Sequence, residues 1–251
     1  MESILILDKV SVISQNVEIL KEVSFSIKKG EHVVIFGPEN SGVDIICPVI
    51  ADLIEDFTGE IFYKGKSIKT FDYLEKLSYK KKIGCIQRDY GLINNMTVEE
   101  NILLPLKYHS NLSNKKIRNL VDKYIKDMNL DHCRSQRPVG LTQSETLKTA
   151  FLRSIILNPD LLLLEHPLEG QCILNVLSFI ESFVKGLYSH DKSVIFITYE
   201  PKWFIDFSHK FIMLYRGKIV FSGSKDEYLA ADNDYLLQFN NMTRDGPMMI
   251  L

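Results

Sequence analysis

The 251 residues predict an α/β protein built around a parallel sheet, and three observations carry that expectation. The runs "VVIFG", "IGCIQ", "DLLLLE" and "SVIFIT" are almost wholly apolar, as strands covered on both faces must be. Segments with helical spacing of apolar residues separate several of them, which supplies the crossovers that parallel strands require. The composition, 45% hydrophobic and 25% charged, is that of a folded globular chain.

In chain order, "SILILDKVSVI" and "VEILKEVSFSI" carry alternating or branched apolar residues and read as strands, and "KKGEH" turns into the buried strand "VVIFG". "VDIICPVIADLIED" has helical spacing, interrupted by Pro48 in its second turn. "GEIFYKGKSI" reads as a hairpin. Over residues 71–129 the texture becomes helical and polar, with the strand "IGCIQ" near its start. "MTVEENILLPL" opens on a capping box, Thr97 with Glu100, and Pro105 is expected to limit or kink that helix. "NKKIRNLVDKYIKDMNL" is an amphipathic helix whose lysines form a solvated face. Next come a helix through "SETLKTAFLRSIILN", the strand "DLLLLE", a helix through "LNVLSFIESFVKGLY", the strand "SVIFIT" and a closing hairpin, "KFIMLYRGKIVFSG". No repeat or low-complexity linker divides the chain, so the helical part reads as inserted into one domain.

A net charge of -2 argues against a nucleic-acid partner, because a phosphate-tracking surface carries a basic excess. Cys47, Cys85, Cys133 and Cys172 are far apart and form no C-x-x-C pair, which suggests neither a disulfide framework nor a zinc site and fits a reducing cytoplasm. The N-terminal "MESILILDKV" lacks the basic region and cleavage site of a signal peptide. No run approaches roughly 18 uninterrupted apolar residues, so membrane work is expected only through a partner.

Chemistry centres on "VVIFGPENSGVDII". A strand, a glycine, four residues, a second glycine and a helix are the layout of a phosphate-binding loop, although Val43 and Asp44 stand where such a loop carries lysine and then serine or threonine. A glycine pair at this spacing is weak by itself; the order of the motifs downstream gives it weight. "CIQRDYGLINNMTVEENILLPL", "LTQSETLKTAFLRSIILNPDLLLLEHP" and "SVIFITYEP" occur in the sequence and spacing of an ABC-transporter ATPase. The chain resembles ABC nucleotide-binding domains over essentially its whole length. "VEENILLPLKYHSNLS", "EHPLEGQ" and the terminal "YLLQFNNMTRDGP" are similar to the lipid-transport (Mla/Mce-type) ATPases.

That resemblance implies a P-loop NTPase-like ABC ATPase fold with an antiparallel β subdomain and an inserted helical subdomain. It implies an ABC domain over residues 1–232, a helical subdomain over about 90–160, and a C-terminal extension over 233–251 that packs on a partner subunit. It also implies a nucleotide site from Gly37, Asn40, Ser41, Gly42, Val43, Asp44, Gln87 and Thr142, with Glu165, His166 and Tyr199 at the positions of Walker B and the switch histidine. Backbone amides over 37–42 can still point at phosphate. Val43 brings no charge, Asp44 brings a carboxylate to the Mg²⁺ position, and Gln87 is the best preserved of the contact residues. "LTQSE" replaces the glycines of the signature, where Thr142 is a hydroxyl or a helix cap. Glu165 could hold Mg²⁺ through a longer side chain, and His166 is expected to be a packing or interface residue. Cys172 takes the D-loop position as a small buried residue, and no aromatic near Ile13 or Ser14 stacks on adenine. ATP and Mg²⁺ are therefore expected to bind weakly or not at all.

The resemblance implies a permease subunit as partner, a peripheral place on the cytoplasmic face of a membrane, and pairing with itself or with an intact ABC ATPase. The first expectation is a non-hydrolysing subunit of a lipid-transport complex. A weakly active ATPase and a soluble scaffold no longer tied to transport remain as alternatives.

Overall fold

The computed structural model describes residues 2–184 and 192–249. Ten strands occur among them: β1 Ser3–Ser14, β2 Val17–Lys28, β3 His32–Phe36, β4 Thr58–Tyr63, β5 Lys66–Ser67, β6 Ile83–Ile86, β7 Leu161–Glu165, β8 Ser193–Thr198, β9 Lys210–Tyr215 and β10 Lys218–Ser224. The helices are α1 Val43–Ile50, α2 Tyr73–Lys82, α3 Val98–His109, α4 Asn114–Asp127, α5 Gln143–Ile155, α6 Ile173–Val184, α7 Lys225–Ala230 and α8 Asp234–Asn241. Of the expected helix "LNVLSFIESFVKGLY", residues 185–188 lie outside the described residues.

Two sheets form. β2, β1, β4 and β5 make an antiparallel sheet, and β10, β9, β3, β8, β7 and β6 make a second in which all but the β10 edge run parallel. Alternation along the central strands explains their continuous hydrophobicity. Val34, Phe36, Leu162, Leu164, Val194 and Phe196 face a core shared with the helices, whereas Val33, Ile35, Leu161, Leu163, Ile195 and Ile197 face a second core under the antiparallel sheet.

The helical stretch packs through Ile102 and Leu106 of α3, Ile117, Val121 and Ile125 of α4, and Phe151 and Leu152 of α5, all buried in the first core. Pro105 forfeits one backbone bond, but α3 continues to His109, held at its start by the Thr97–Glu100 capping box. α1 is shorter than its hydrophobic pattern suggested. It ends at Ile50, with Pro48 inside it and Asp52 turning the chain in the left-handed region (φ 54°). At the C-terminus α8 lies on the chain's own core, with Phe239 packed 5.4 Å from Phe36 between ring centres and Gln238 receiving the Met248 amide. No helix among the described residues is long and apolar enough to cross a membrane.

Candidate functional site

Parallel strands end on the same edge of a sheet, and the segments that leave that edge form its crevice. β3 leads into Gly37, β6 into Gln87, β7 carries Glu165 at its end and His166 just beyond, and β8 leads into Tyr199. The register pairs Phe36 with Thr198, Glu165 with Ile197 and Ile86 with Leu164, so these segments leave the sheet together.

The loop after β3 keeps a backbone that only small residues tolerate. A Cβ on Gly37 would stand 2.2 Å from the Leu214 carbonyl oxygen. Gly42 has a φ of +97°, and a Cβ there would meet the Ile19 carbonyl oxygen at 2.7 Å. Asn40 also takes the left-handed region (φ 60°). Ser41 is buried, its carbonyl receives the Gly217 amide at 2.8 Å, and its hydroxyl finds no partner among the described residues. Gly42 is the N-cap of α1 and brings no side-chain cap. Val43 comes next with no exposure, packed into the core beneath the antiparallel sheet, so its side chain serves the interior and not the loop.

Asp44 turns the other way. His166 Nε2 donates to its Oδ1 at 2.7 Å, and the Tyr199 hydroxyl donates to its Oδ2 at 2.9 Å. The His166 and Tyr199 rings lie 4.2 Å apart between centres. The hydrogen bond from His166, aided by Tyr199 and by the nearby charge of Arg88, holds the Asp44 carboxyl below the usual carboxylate range against the opposing effect of burial. Burial, then the bond to Asp44, pushes the Tyr199 phenol up to about 12. His166 packs against the Tyr199 ring and also donates to Asp44. It is buried at 4% exposure with its imidazole committed to Asp44, on a left-handed backbone (φ 44°) whose amide donates to the Ile197 carbonyl at 2.8 Å.

Glu165 stands beside this cluster. Burial raises its pKa, and the Arg88 amide lies 3.4 Å from its Oε2. The Arg88 side chain forms a fork onto Glu169, with Nη2 to Oε1 at 2.7 Å, and its guanidinium carbon is 5.9 Å from the centre of the Tyr199 ring. Gln87 is exposed in an open cleft of about 650 Å³ that it shares with Arg88, Gln143, Glu165 and Glu169.

Thr142 caps α5. Its hydroxyl accepts the Glu145 amide at 3.3 Å, while Glu145 Oε2 accepts the Thr142 amide at 2.8 Å. The helix-cap account of Thr142 thus holds, and its side chain makes no hydrogen bond to the phosphate loop among the described residues. Gln171 links this helix start to the segment after β7 by donating to the Gln143 carbonyl at 2.8 Å. His132, Cys133 and Glu145 bring possible ligand atoms within 4.8 Å of one another, but Glu145 is already engaged in its cap. Cys172 is exposed, contrary to expectation. It precedes α6, and its carbonyl receives the Asn175 and Val176 amides, so backbone capping and not side-chain burial places it there.

In the sequence Asp44, His166 and Tyr199 are separate motif positions with nothing to show that Asp44 joins the other two, and Arg88 is no candidate at all. The available signal was chemical correlation, since an added carboxylate at one motif end coincides with two hydrogen-bond donors at two others. As a unit, the three side chains form a closed set in which one ionised acceptor satisfies two donors.

The sequence pattern of the family described as "ABC transporter" matches residues 20–169. A putative ABC transporter ATP-binding protein of Clostridium tetani is 25% identical over 229 residues, covering 91% of this chain and 51% of that protein. The intermembrane phospholipid transport system ATP-binding protein MlaF of Haemophilus influenzae is 22% identical over 233 residues, covering 92% and 87%. The dimeric ATP-binding cassette MJ0796, solved with ADP and Pi, superposes with a TM-score of 0.77 at 22% identity, covering 88% of this chain and 98% of that one. The chain spans about half or less of the length of the first two curated relatives. With the family pattern running through the phosphate loop and the β7 edge, and 88% of the chain superposing on a solved cassette, the chain belongs to the ABC transporter family as a domain of its ATP-binding type.

Proposed function

We propose that the chain is a degenerate ABC subunit that does not hydrolyse ATP and serves a structural or regulatory role in a lipid-transport complex. The observation that carries this reading is the Asp44 carboxylate held by His166 and Tyr199 at the end of the phosphate loop. A Mg²⁺-bound triphosphate does not fit these residues. Val43 is buried and uncharged, the nearby Arg88 is forked onto Glu169, and the position that should offer a hydroxyl offers a negative charge. At an effective dielectric near 20, a unit charge about 4 Å from a phosphate oxygen is worth on the order of 4 kcal/mol, here repulsive. That corresponds to a loss of roughly a thousandfold in affinity.

Lipid cargo is supported by the MlaF relative and by the stretches "VEENILLPLKYHSNLS" and "EHPLEGQ". The partners proposed are a permease subunit, which would hold the chain on the cytoplasmic face, and a second ABC domain, either a copy of this chain or an intact ATPase. We assign residues 1–232 to the ABC domain, about 90–160 to a helical subdomain and 233–251 to an extension. Leu237, Met242 and Met249 are exposed large hydrophobic residues of that extension and would be covered by a partner.

The retained loop backbone favours a second reading, weak nucleotide binding with slow turnover at one composite site. Thermal unfolding with Mg-ATP separates the two. A ligand at 100 times its Kd adds about 2.7 kcal/mol, or roughly 5 to 10 °C for a chain of this size. No shift at millimolar nucleotide is expected, and single-turnover hydrolysis would overturn the non-hydrolysing reading. Recovery from detergent-solubilised membranes together with a permease-type subunit and lipid is the expected outcome for the assembly. Recovery alone would point to a scaffold outside transport.

A further inference from the structure

Cys47 and Cys85 take no part in the Asp44 cluster, yet their sulfurs lie 2.8 Å apart. They come from different elements 38 residues apart in the chain, Cys47 from α1 one turn after Asp44, and Cys85 from β6 two residues before Gln87. The other two thiols are differently placed. Cys133 is buried with its thiol on the Leu130 carbonyl at 3.4 Å, and Cys172 is exposed.

We propose that Cys47 and Cys85 form a site of reversible oxidative modification, closing to an intrachain disulfide when a peroxide reaches Cys85. The frame favours closure without unfolding. Cys85 is fixed by its strand, paired with Leu163, and Cys47 by its helix, where its carbonyl receives the Ala51 amide at 2.9 Å. A disulfide bond is about 2.05 Å long, so the sulfurs need approach by only about 0.8 Å, within reach of side-chain rotation.

Exposure orders the two steps. Cys85 is partly exposed and is the sulfur a small oxidant meets, whereas Cys47 is 1% exposed. The hydrogen bond with Cys85, then burial, keeps the Cys47 thiol well above its ordinary pKa, so it is not the first sulfur oxidised, and its part in the second step rests on its 2.8 Å contact with Cys85. In the first step Cys85 takes one oxygen from the peroxide, becomes a sulfenic acid and releases water. In the second, the Cys47 sulfur attacks the Cys85 sulfur, the S–S bond forms and the S–O bond breaks. The Cys47 proton leaves with the hydroxide as a second water, so two thiols have given two electrons to one peroxide. The bridge ties the helix that carries Asp44 to the strand that delivers Gln87. It does so whether or not nucleotide binds.

The full chain is treated with hydrogen peroxide, denatured, alkylated and mapped by mass spectrometry. The expected result is a fall from four alkylatable thiols to two, loss of the mass of two hydrogens, a linked Cys47–Cys85 peptide, and recovery of four thiols with dithiothreitol. A Cys133→Ser/Cys172→Ser variant should behave the same way, going from two thiols to none. Cys47→Ser should leave a Cys85 sulfenic acid that dimedone traps and no intrachain bridge. The proposal is overturned if four thiols survive in the wild type, if the bridge maps to Cys172, or if Cys85 proceeds to sulfinic acid while Cys47 stays free.

Discussion

The mutual hold of Asp44, His166 and Tyr199 can be measured as a coupling energy. Asp44→Ala removes an acceptor that meets His166 Nε2 at 2.7 Å and the Tyr199 hydroxyl at 2.9 and 3.1 Å. Hydrogen bonds to a charged group contribute about 1.5–3 kcal/mol when desolvated. Here only His166 is fully enclosed, at 4% exposure, while the Asp44 side chain is 39% exposed and screened by water. The Asp44–His166 coupling should therefore fall to about 1–2 kcal/mol, and the Asp44–Tyr199 coupling to about 0.5–1 kcal/mol. Urea unfolding of the wild type, Asp44→Ala, His166→Ala and the double variant gives the first coupling, and Tyr199→Phe in place of His166→Ala gives the second. The cycle cancels two complications: the cavity left by a buried imidazole, and the left-handed backbone at residue 166 that alanine inherits. Asp44→Ala alone should lower Tm by about 4–8 °C. Single effects that add to within about 0.3 kcal/mol would show the three side chains to be independent, and a stabilising Asp44→Ala would refute the hold outright.

Acid should dissolve the same cluster. The folded-state pKa of Asp44 is depressed, so its contribution is fully present above about pH 4 and is lost as pH falls through the folded value. The Tm difference between wild type and Asp44→Asn should shrink from pH 6 towards pH 2, and a gap that widens on acidification contradicts the assignment. Gly42→Ala forces a side chain onto a φ of +97° and against the Ile19 carbonyl. It should cost about 2 kcal/mol or more in urea unfolding, and a loss under about 0.5 kcal/mol would mean the loop relaxes. Thr142→Ala removes one half of the α5 capping box and should cost about 1 kcal/mol by the same measurement.

Much of the fold was legible along the chain because its causes are local. The buried runs in β3, β7 and β8, the capping box at Thr97, the helix cap at Thr142 and the glycine at 42 each arise from periodicity, a hydrogen bond spanning three residues, or a backbone angle. The length of α1 was not legible, because the hydrophobic spacing of "VDIICPVIADLIED" continues past the turn at Asp52 that ends the helix. Nor was the fate of Val43, which a motif places at a phosphate while packing draws it into the core.

By itself the sequence determined the order of the strands and the main helices as far as the closing hairpin, though not α7 and α8 beyond it, together with the phosphate-loop layout and the residues that stand at its ends. Only the tertiary structure decided what those residues do. Asp44 lies 122 residues from His166 and 155 from Tyr199, and no local pattern reports a contact across such distances. Parallel strands bring them together because β3, β7 and β8 end on one edge of the sheet, where a carboxylate with no lysine beside it takes the two nearest donors.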